Sequence, residues 1–304
     1  MKWKKLNRIY EPISIDNYLV SHASNPLPIF IDENIIKIFF SGRDKNNRSS
    51  VGYFDFSIKK LKVIKICEKS IFNFGNENSF YSHGVSIGCH YRISNEIYIL
   101  FMGWQIREKE HWRGDIGRIH LDNDLQKMKL NPEEVFMGSD KEDPISLSYP
   151  FVIFDDNQKI YRMWYGSTIS WTSENGEMIH VIKYTTSKDG QKWKKKGLAV
   201  PYKIGEYQAF SRPCIIKDNK GYHMWYSYRG GNGQKYKIGY AFSNDGQFFE
   251  PQHHKTGIST SKEGWDSEMI CYPYVFDFNG ERYMLYNGNG YGKTGIGIGI
   301  LERD

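Results

Sequence analysis

Five times the sequence writes a small residue, a variable residue and a proline or glycine, and each time an apolar segment follows. The five triplets are Ser24-Asn25-Pro26, Ser82-His83-Gly84, Ser148-Tyr149-Pro150, Ser211-Arg212-Pro213 and Cys271-Tyr272-Pro273. They recur at roughly 60-residue intervals, a period that marks a repeat architecture. Behind each triplet comes a second apolar segment, at residues 36–42, 97–103, 161–166, 222–227 and 283–288. The residues between the two are Asp, Asn, Ser and Gly, as a hairpin requires. A third segment carries Val51-Gly52, Ile116-Gly117, Val181-Ile182, Ile238-Gly239 or Ile296-Gly297. Glycine within a strand suggests close approach of a neighbouring blade. Ser187-Lys188-Asp189-Gly190 and Ser243-Asn244-Asp245-Gly246 then turn the chain into a fourth strand.

The fifth unit ends after its third segment. Lys2-Trp3-Lys4-Lys5 echoes Lys192-Trp193-Lys194-Lys195, which begins an outer strand, so the N-terminal segment is expected to supply the missing one. The expectation is an all-β fold: a five-bladed β-propeller of four-stranded antiparallel blades, closed by the N-terminal strand, in one domain over 1–304. The aromatic fraction of 16% and the 29 glycines suit many short strands and tight turns. The best helical candidate, 122–134, also reads as a loop and a short strand.

No apolar run reaches membrane-span length, and the N-terminus has no apolar signal region. A cytoplasmic protein is expected, with no transmembrane segment. Cys67, Cys89, Cys214 and Cys271 are scattered without disulfide or metal spacing and read as reduced thiols. The net charge of +6 is spread in short clusters, which argues against a nucleic-acid partner. No ligand cluster argues for a metal, and no cofactor is expected. Residues 288–294, Gly-Asn-Gly-Tyr-Gly-Lys-Thr, look like a phosphate loop, but the first glycine is one residue too close and the segment lies between strands. His253-His254 is expected to be exposed and isolated.

The Pro–strand–turn pattern with Met163-Trp164-Tyr165 and Met224-Trp225-Tyr226, followed by Ser-x-Asp-Gly-x-x-Trp, resembles the propellers of the glycoside hydrolase 43/32/68/130 superfamily over essentially the whole sequence. Those families act on furanosides, arabinans, fructans, xylosides or β-mannosides, and some relatives of the mannoside branch are transferases. The resemblance implies an aspartate just before the first-blade proline as general base, and a second aspartate and a glutamate near later inner strands. Here the first position is Asn25, and the later ones are Tyr149, Ser211 and Arg212. An amide is no general base, so hydrolysis by an ordinary carboxylate pair is not expected.

The triplet middles should face one axial pocket: Asn25, His83, Tyr149, Arg212 and Tyr272. Arg43, Trp104, Ser167, Arg229 and Asn289, just past the second strands, should join them, with His22 nearby. Arginine forks suit carboxylate or phosphate, and aromatic faces suit sugar rings. Asn25, Arg43, Trp104, Tyr149, Arg212, Arg229, Tyr272 and His22 are the expected binding residues. Asp266, Glu268, His83 and Glu206 are the candidate acids and bases, with Asp143 and Glu77 also preceding inner strands. The expected partners are a sugar or nucleotide sugar and a glycan acceptor. The leading expectation is glycosyl transfer from a nucleotide sugar. The alternatives are a hydrolase or phosphorylase on furanosides or β-mannosides, and a non-catalytic glycan-binding propeller.

Overall fold

A computed structural model describes residues 1–106, 111–231 and 233–303. The protein is nearly all β. After β1 (Trp3–Tyr10) the first meander comprises β2 (Ser21–Phe30), β3 (Ile35–Arg43), β4 (Ser49–Ser57) and β5 (Lys62–Ile66). The second comprises β6 (Gly84–Ile93), β7 (Glu96–Ile106), β8 (Trp112–Leu121) and β9 (Met128–Leu130). The third is β10 (Ser146–Asp155), β11 (Ile160–Ser170), β12 (Ile179–Ser187) and β13 (Lys194–Leu198). The fourth is β14 (Ala209–Asp218), β15 (Gly221–Arg229), β16 (Lys237–Ser243) and β17 (Glu250–Pro251). The last is β18 (Cys271–Phe278), β19 (Glu281–Asn287) and β20 (Ile296–Leu301).

Consecutive strands of a meander pair antiparallel. β1 pairs antiparallel with β20, from Trp3 opposite Leu301 to Tyr10 opposite Ile296. The N-terminal strand therefore completes the last meander, as the Lys-Trp-Lys-Lys echo implies. The opening strands β2, β6, β10, β14 and β18 touch one another in that order, and β18 returns to β2. Segment 122–134 is a loop around β9.

The third-strand glycines answer to a partner in their own meander. Phe40 lies directly across from Gly52, Phe101 from Gly117, Tyr226 from Gly239 and Tyr286 from Gly297. A Cβ on Gly117 would stand 2.2 Å from the Phe101 ring, and one on Gly239 would stand 2.8 Å from that of Tyr226. The ring covers the glycine backbone of the adjacent strand. The third meander breaks the pattern, since Lys183 stands opposite Tyr165. Lys183 Nζ instead reaches Asp143 Oδ1 at 2.8 Å.

All four cysteines are free and buried. Two of them join neighbouring meanders: Val152 N donates to Cys89 Sγ at 3.2 Å, and Val275 N to Cys214 Sγ at 3.1 Å. No helix among the described residues is long and apolar enough to cross a membrane.

Candidate functional site

The triplets are β-bulges. Pairing slips by one residue between Ser24 and Leu27, Ser148 and Phe151, Ser211 and Cys214, and Cys271 and Tyr274. The extra residue takes up the slip in left-handed backbone, with φ of 57° at Asn25, 36° at Tyr149, 51° at Arg212 and 54° at Tyr272. A non-glycine residue there is strained. At Asn25 and Tyr272 the preceding meander holds the strained amide. Asn25 N donates to Asn287 Oδ1 at 2.9 Å, and Tyr272 N to Ser227 Oγ at 2.7 Å.

The second meander corrects the sequence reading. Its slip falls between Ile87 and Cys89, and Ile87 N donates to Ser41 Oγ at 3.1 Å. Its triplet is thus Ser86-Ile87-Gly88, four residues beyond Ser82-His83-Gly84. His83 precedes β6 instead: its N donates to Trp104 O at 3.0 Å, and its ring Nδ1 accepts from Ile106 N at 3.2 Å.

A cavity of about 350 Å³ opens where the five bulges converge. Ser24, Ser86, Ser148 and Ser211, the first residues of four triplets, line it with Asn25, Tyr149 and Tyr272. One wall is cationic. Arg43 lines it, and its guanidinium has no hydrogen bond or ion pair among the described residues. Arg229 lies farther round, its Nη1 2.6 Å from Glu177 Oε2. His22 stands near Arg43 and Lys293, and burial with those two charges pushes its pKa down to about 4. It is therefore uncharged at neutral pH. The other wall is aromatic and apolar, from Trp104, Trp112, Met102 and Met178.

A tyrosine cluster joins the walls. Tyr149 and Tyr272 pack at 5.5 Å between ring centroids, Tyr272 and Tyr291 at 6.3 Å, and Tyr236 and Tyr291 at 6.1 Å. Burial holds the Tyr272 hydroxyl well above its ordinary pKa, so it stays protonated and can donate. Asn25 Oδ1 is buried at the floor with no partner among the described residues.

Arg212 is not part of the lining. It lies under the floor, 2% exposed, and crosses the axis. Nη1 donates to Tyr272 O at 2.8 Å and Pro273 O at 3.3 Å; Nη2 donates to Pro26 O at 2.7 Å and Gly88 O at 3.4 Å. Left-handed backbone at this position aims the guanidinium at carbonyls of three other meanders. His180 is similarly occupied, with Nε2 2.6 Å from Ser148 Oγ and Nδ1 2.8 Å from Thr168 Oγ1. Burial pushes its pKa down to about 4.

The candidate carboxylates stand elsewhere. Asp266 is 2% exposed and engaged by Lys5 Nζ at 2.6 Å and Tyr286 OH at 3.1 Å. Glu206 pairs with Lys203. Asp143 accepts from Lys183, Tyr165 and Ser167 and pairs with Lys195; against its burial, the two lysines and Ser167 hold its pKa at about 2. That also takes Ser167 away from the cavity. Asn289 Oδ1 accepts from Glu268 N and Met269 N, at 2.8 and 3.1 Å. Glu268 itself lines a neighbouring cleft. Among the described residues, no Asp or Glu lines the cavity. No group of three His, Cys, Asp or Glu among the described residues could hold a metal ion.

Sequence reasoning missed Tyr291, Tyr236, Trp112 and His180. Tyr291 lies in the phosphate-loop look-alike, folded as one turn (Asn289–Gly292) between β19 and β20, with Gly290 and Tyr291 in left-handed backbone. Its carbonyl accepts from Ser24 Oγ. That Ser24 contact ties the loop to the first triplet. His253 is not exposed as expected: it stacks on Tyr228 at 4.0 Å and contacts Tyr226 OH at 2.9 Å.

No family model matches the sequence. Uncharacterized protein MT1551 of Mycobacterium tuberculosis (strain CDC 1551 / Oshkosh) is 38% identical over 305 residues, covering 99% of this protein and 100% of that one. Uncharacterized protein Rv1502 of Mycobacterium tuberculosis (strain ATCC 25618 / H37Rv) matches to the same extent. Three solved structures share the fold at low identity. One is a BT0996 RGII complex (TM-score 0.77, 14% identity, 98% of this protein and 91% of that one). The second is a glycoside hydrolase (0.74, 14%, 99% and 93%). The third is beta-1,2-mannobiose phosphorylase from Listeria innocua in complex with beta-1,2-mannobiose (0.74, 11%, 99% and 96%). The fold is therefore that of propeller-like glycoside hydrolases and phosphorylases. Glycosyl transfer from a nucleotide sugar, the leading expectation from sequence, has no counterpart among these three.

Proposed function

We propose that this protein, which belongs to the family of the two Mycobacterium tuberculosis proteins, is a single five-bladed propeller that binds a sugar in its axial funnel and acts on a glycosidic bond in the hydrolase–phosphorylase class. The observation that carries the reading is the make-up of the funnel: indole and phenol faces for the C–H faces of a sugar ring, beside an arginine with no partner among the described residues. Phosphorolysis is the member of the class that this funnel fits. Hydrolysis by inversion needs one carboxylic acid and one carboxylate across the bond, about 6.5–9.5 Å apart, and among the described residues the lining offers neither.

Phosphate needs no carboxylate to activate it. Its oxygen attacks the anomeric carbon, the bond to the leaving oxygen breaks, and the proton of hydrogen phosphate ends on the leaving hydroxyl. The products are a sugar phosphate and a free alcohol. Arg43 neutralises the incoming dianion, and the aromatic wall fixes the ring. A glycan-binding propeller without chemistry is the second reading, favoured by the same lack of a carboxylate among the described lining residues.

One assay separates the readings. Disaccharides of mannose, xylose and arabinose are incubated with the protein with and without inorganic phosphate, and sugar phosphate and reducing sugar are followed by NMR. Sugar phosphate formed only with phosphate is the expected result. Reducing sugar formed without phosphate would mean hydrolysis. Binding with neither product would leave the non-catalytic reading.

A further inference from the structure

A second cleft, of about 380 Å³, adjoins the funnel, and Tyr236 lines both. Its walls are the edge of the fourth meander (Tyr228, Ile238) and the crossing segment toward β18 (Thr256, Ile258, Glu268). Three features mark it as built for a ligand rich in hydroxyls. Thr256 is 4% exposed and lines the cleft, and its Oγ1 has no hydrogen-bond partner among the described residues. A buried hydroxyl left unpaired is costly. Tyr228 and His253 both line the cleft and stack at 4.0 Å with 5° between planes. Tyr226 OH fixes His253 at 2.9 Å, so the pair is a rigid platform. The Glu268 carboxylate, on the opposite side, has no hydrogen bond or ion pair among the described residues, while Asn289 holds its backbone in place. A hydroxyl, a flat ring pair and a free carboxylate are what a neutral sugar residue takes: one donor or acceptor at each edge and a face to rest on.

We propose that this cleft is a second saccharide subsite, and that the ligand of the funnel is an oligosaccharide that passes over Tyr236. The inference rests on the reading of the funnel as a saccharide site and names its substrate class: two or more linked neutral sugars. Glu268, a candidate acid from sequence, is then a hydroxyl acceptor that sets oligosaccharide length. Tyr236 is the step between the subsites. Its burial holds the phenol protonated, ready to donate to the linking oxygen or a neighbouring hydroxyl.

The test titrates the full-length protein with mannose, xylose and arabinose and with their di- and trisaccharides, read by calorimetry and thermal shift. Wild type is compared with Thr256→Val, nearly isosteric, and Glu268→Gln, on an exposed side chain. The expected result is a best oligosaccharide bound about ten-fold more tightly than its monosaccharide, the worth of one or two good hydrogen bonds. Both variants should remove most of that advantage and leave monosaccharide affinity unchanged. Monosaccharides that bind with no gain from length overturn the subsite and leave the funnel reading standing. A length advantage that survives both substitutions also overturns the subsite. If no saccharide of any length binds, the funnel reading fails and takes the subsite with it.

Discussion

Arg212 and Arg43 stand at two levels of the same funnel, and their surroundings differ in kind. At the floor, Arg212 donates to four backbone carbonyls contributed by three other meanders. At the mouth, the Arg43 guanidinium makes no hydrogen bond or ion pair among the described residues. Both were expected to bind substrate. The difference lies in the backbone beneath them. Arg212 sits at a bulge with left-handed φ, which sends its side chain across the axis. Arg43 ends β3, where the strand runs out toward the mouth. The floor is therefore a brace, and the mouth is the proposed receptor.

The largest test of that contrast is Arg212→Met. It removes the donors of four buried carbonyls, and the loss should be about 3 kcal/mol or more in urea unfolding. Unchanged stability with lost ligand binding would turn the floor into a receptor and erase the contrast. The acid response comes next. His180, which lines the cavity, has its pKa pushed down by burial to about 4, from an ordinary 6.5. Between those values the unfolded protein holds more protons than the folded one, so stability is full above pH 6.5 and falls as pH drops toward 4. Roughly 1–3 kcal/mol should be lost across that window, with His22, His90 and His253 contributing in the same direction. His180→Gln, which keeps a bond to a neighbouring hydroxyl, should flatten part of that slope; an unaltered slope would place the titration elsewhere.

At the mouth, Arg43→Ala should change stability by no more than about 0.5 kcal/mol but weaken phosphate or sugar-phosphate binding about ten-fold. A destabilised Arg43→Ala protein would make it a second brace. The smallest effect belongs to a pin between meanders. Cys214→Ala removes the sulfur that accepts from Val275 N, and should cost about 1 kcal/mol with ligand binding intact. An effect on binding would mean that the floor transmits strain upward.

The strands were legible because apolar segments and turn residues recur with the hairpin period, and the Lys-Trp-Lys-Lys echo located the closing strand. The second triplet was misplaced because its middle residue is Ile87 and its third a glycine, so Ser82-His83-Gly84 offered an equal match. Spacing alone would have found it: with Ser86 the first positions 24, 86, 148, 211 and 271 are nearly even. The absence of a carboxylate from the triplet middles survives the correction, since Ile87 brings none. The wall residues were less legible. Tyr291 reaches the funnel through one irregular turn, and Tyr236 and Trp112 from the starts of third strands, positions without a periodic signature. The left-handed backbone at Arg212, which decides its role, follows from a slip in pairing that no single-residue preference announces.

The pairing of β1 with β20 also governs the order of assembly. β1 has its hydrogen-bonding partner in β20, which follows all the other described strands in sequence order. During synthesis Trp3–Tyr10 must remain available, neither folded into the earlier meanders nor joined to another molecule, until Ile296–Leu301 arrives. Such a distant contact is slow to form, and an unpaired strand edge invites association meanwhile. Ring closure is thus a late checkpoint on folding, and crowded nascent copies of this protein are most vulnerable at that strand.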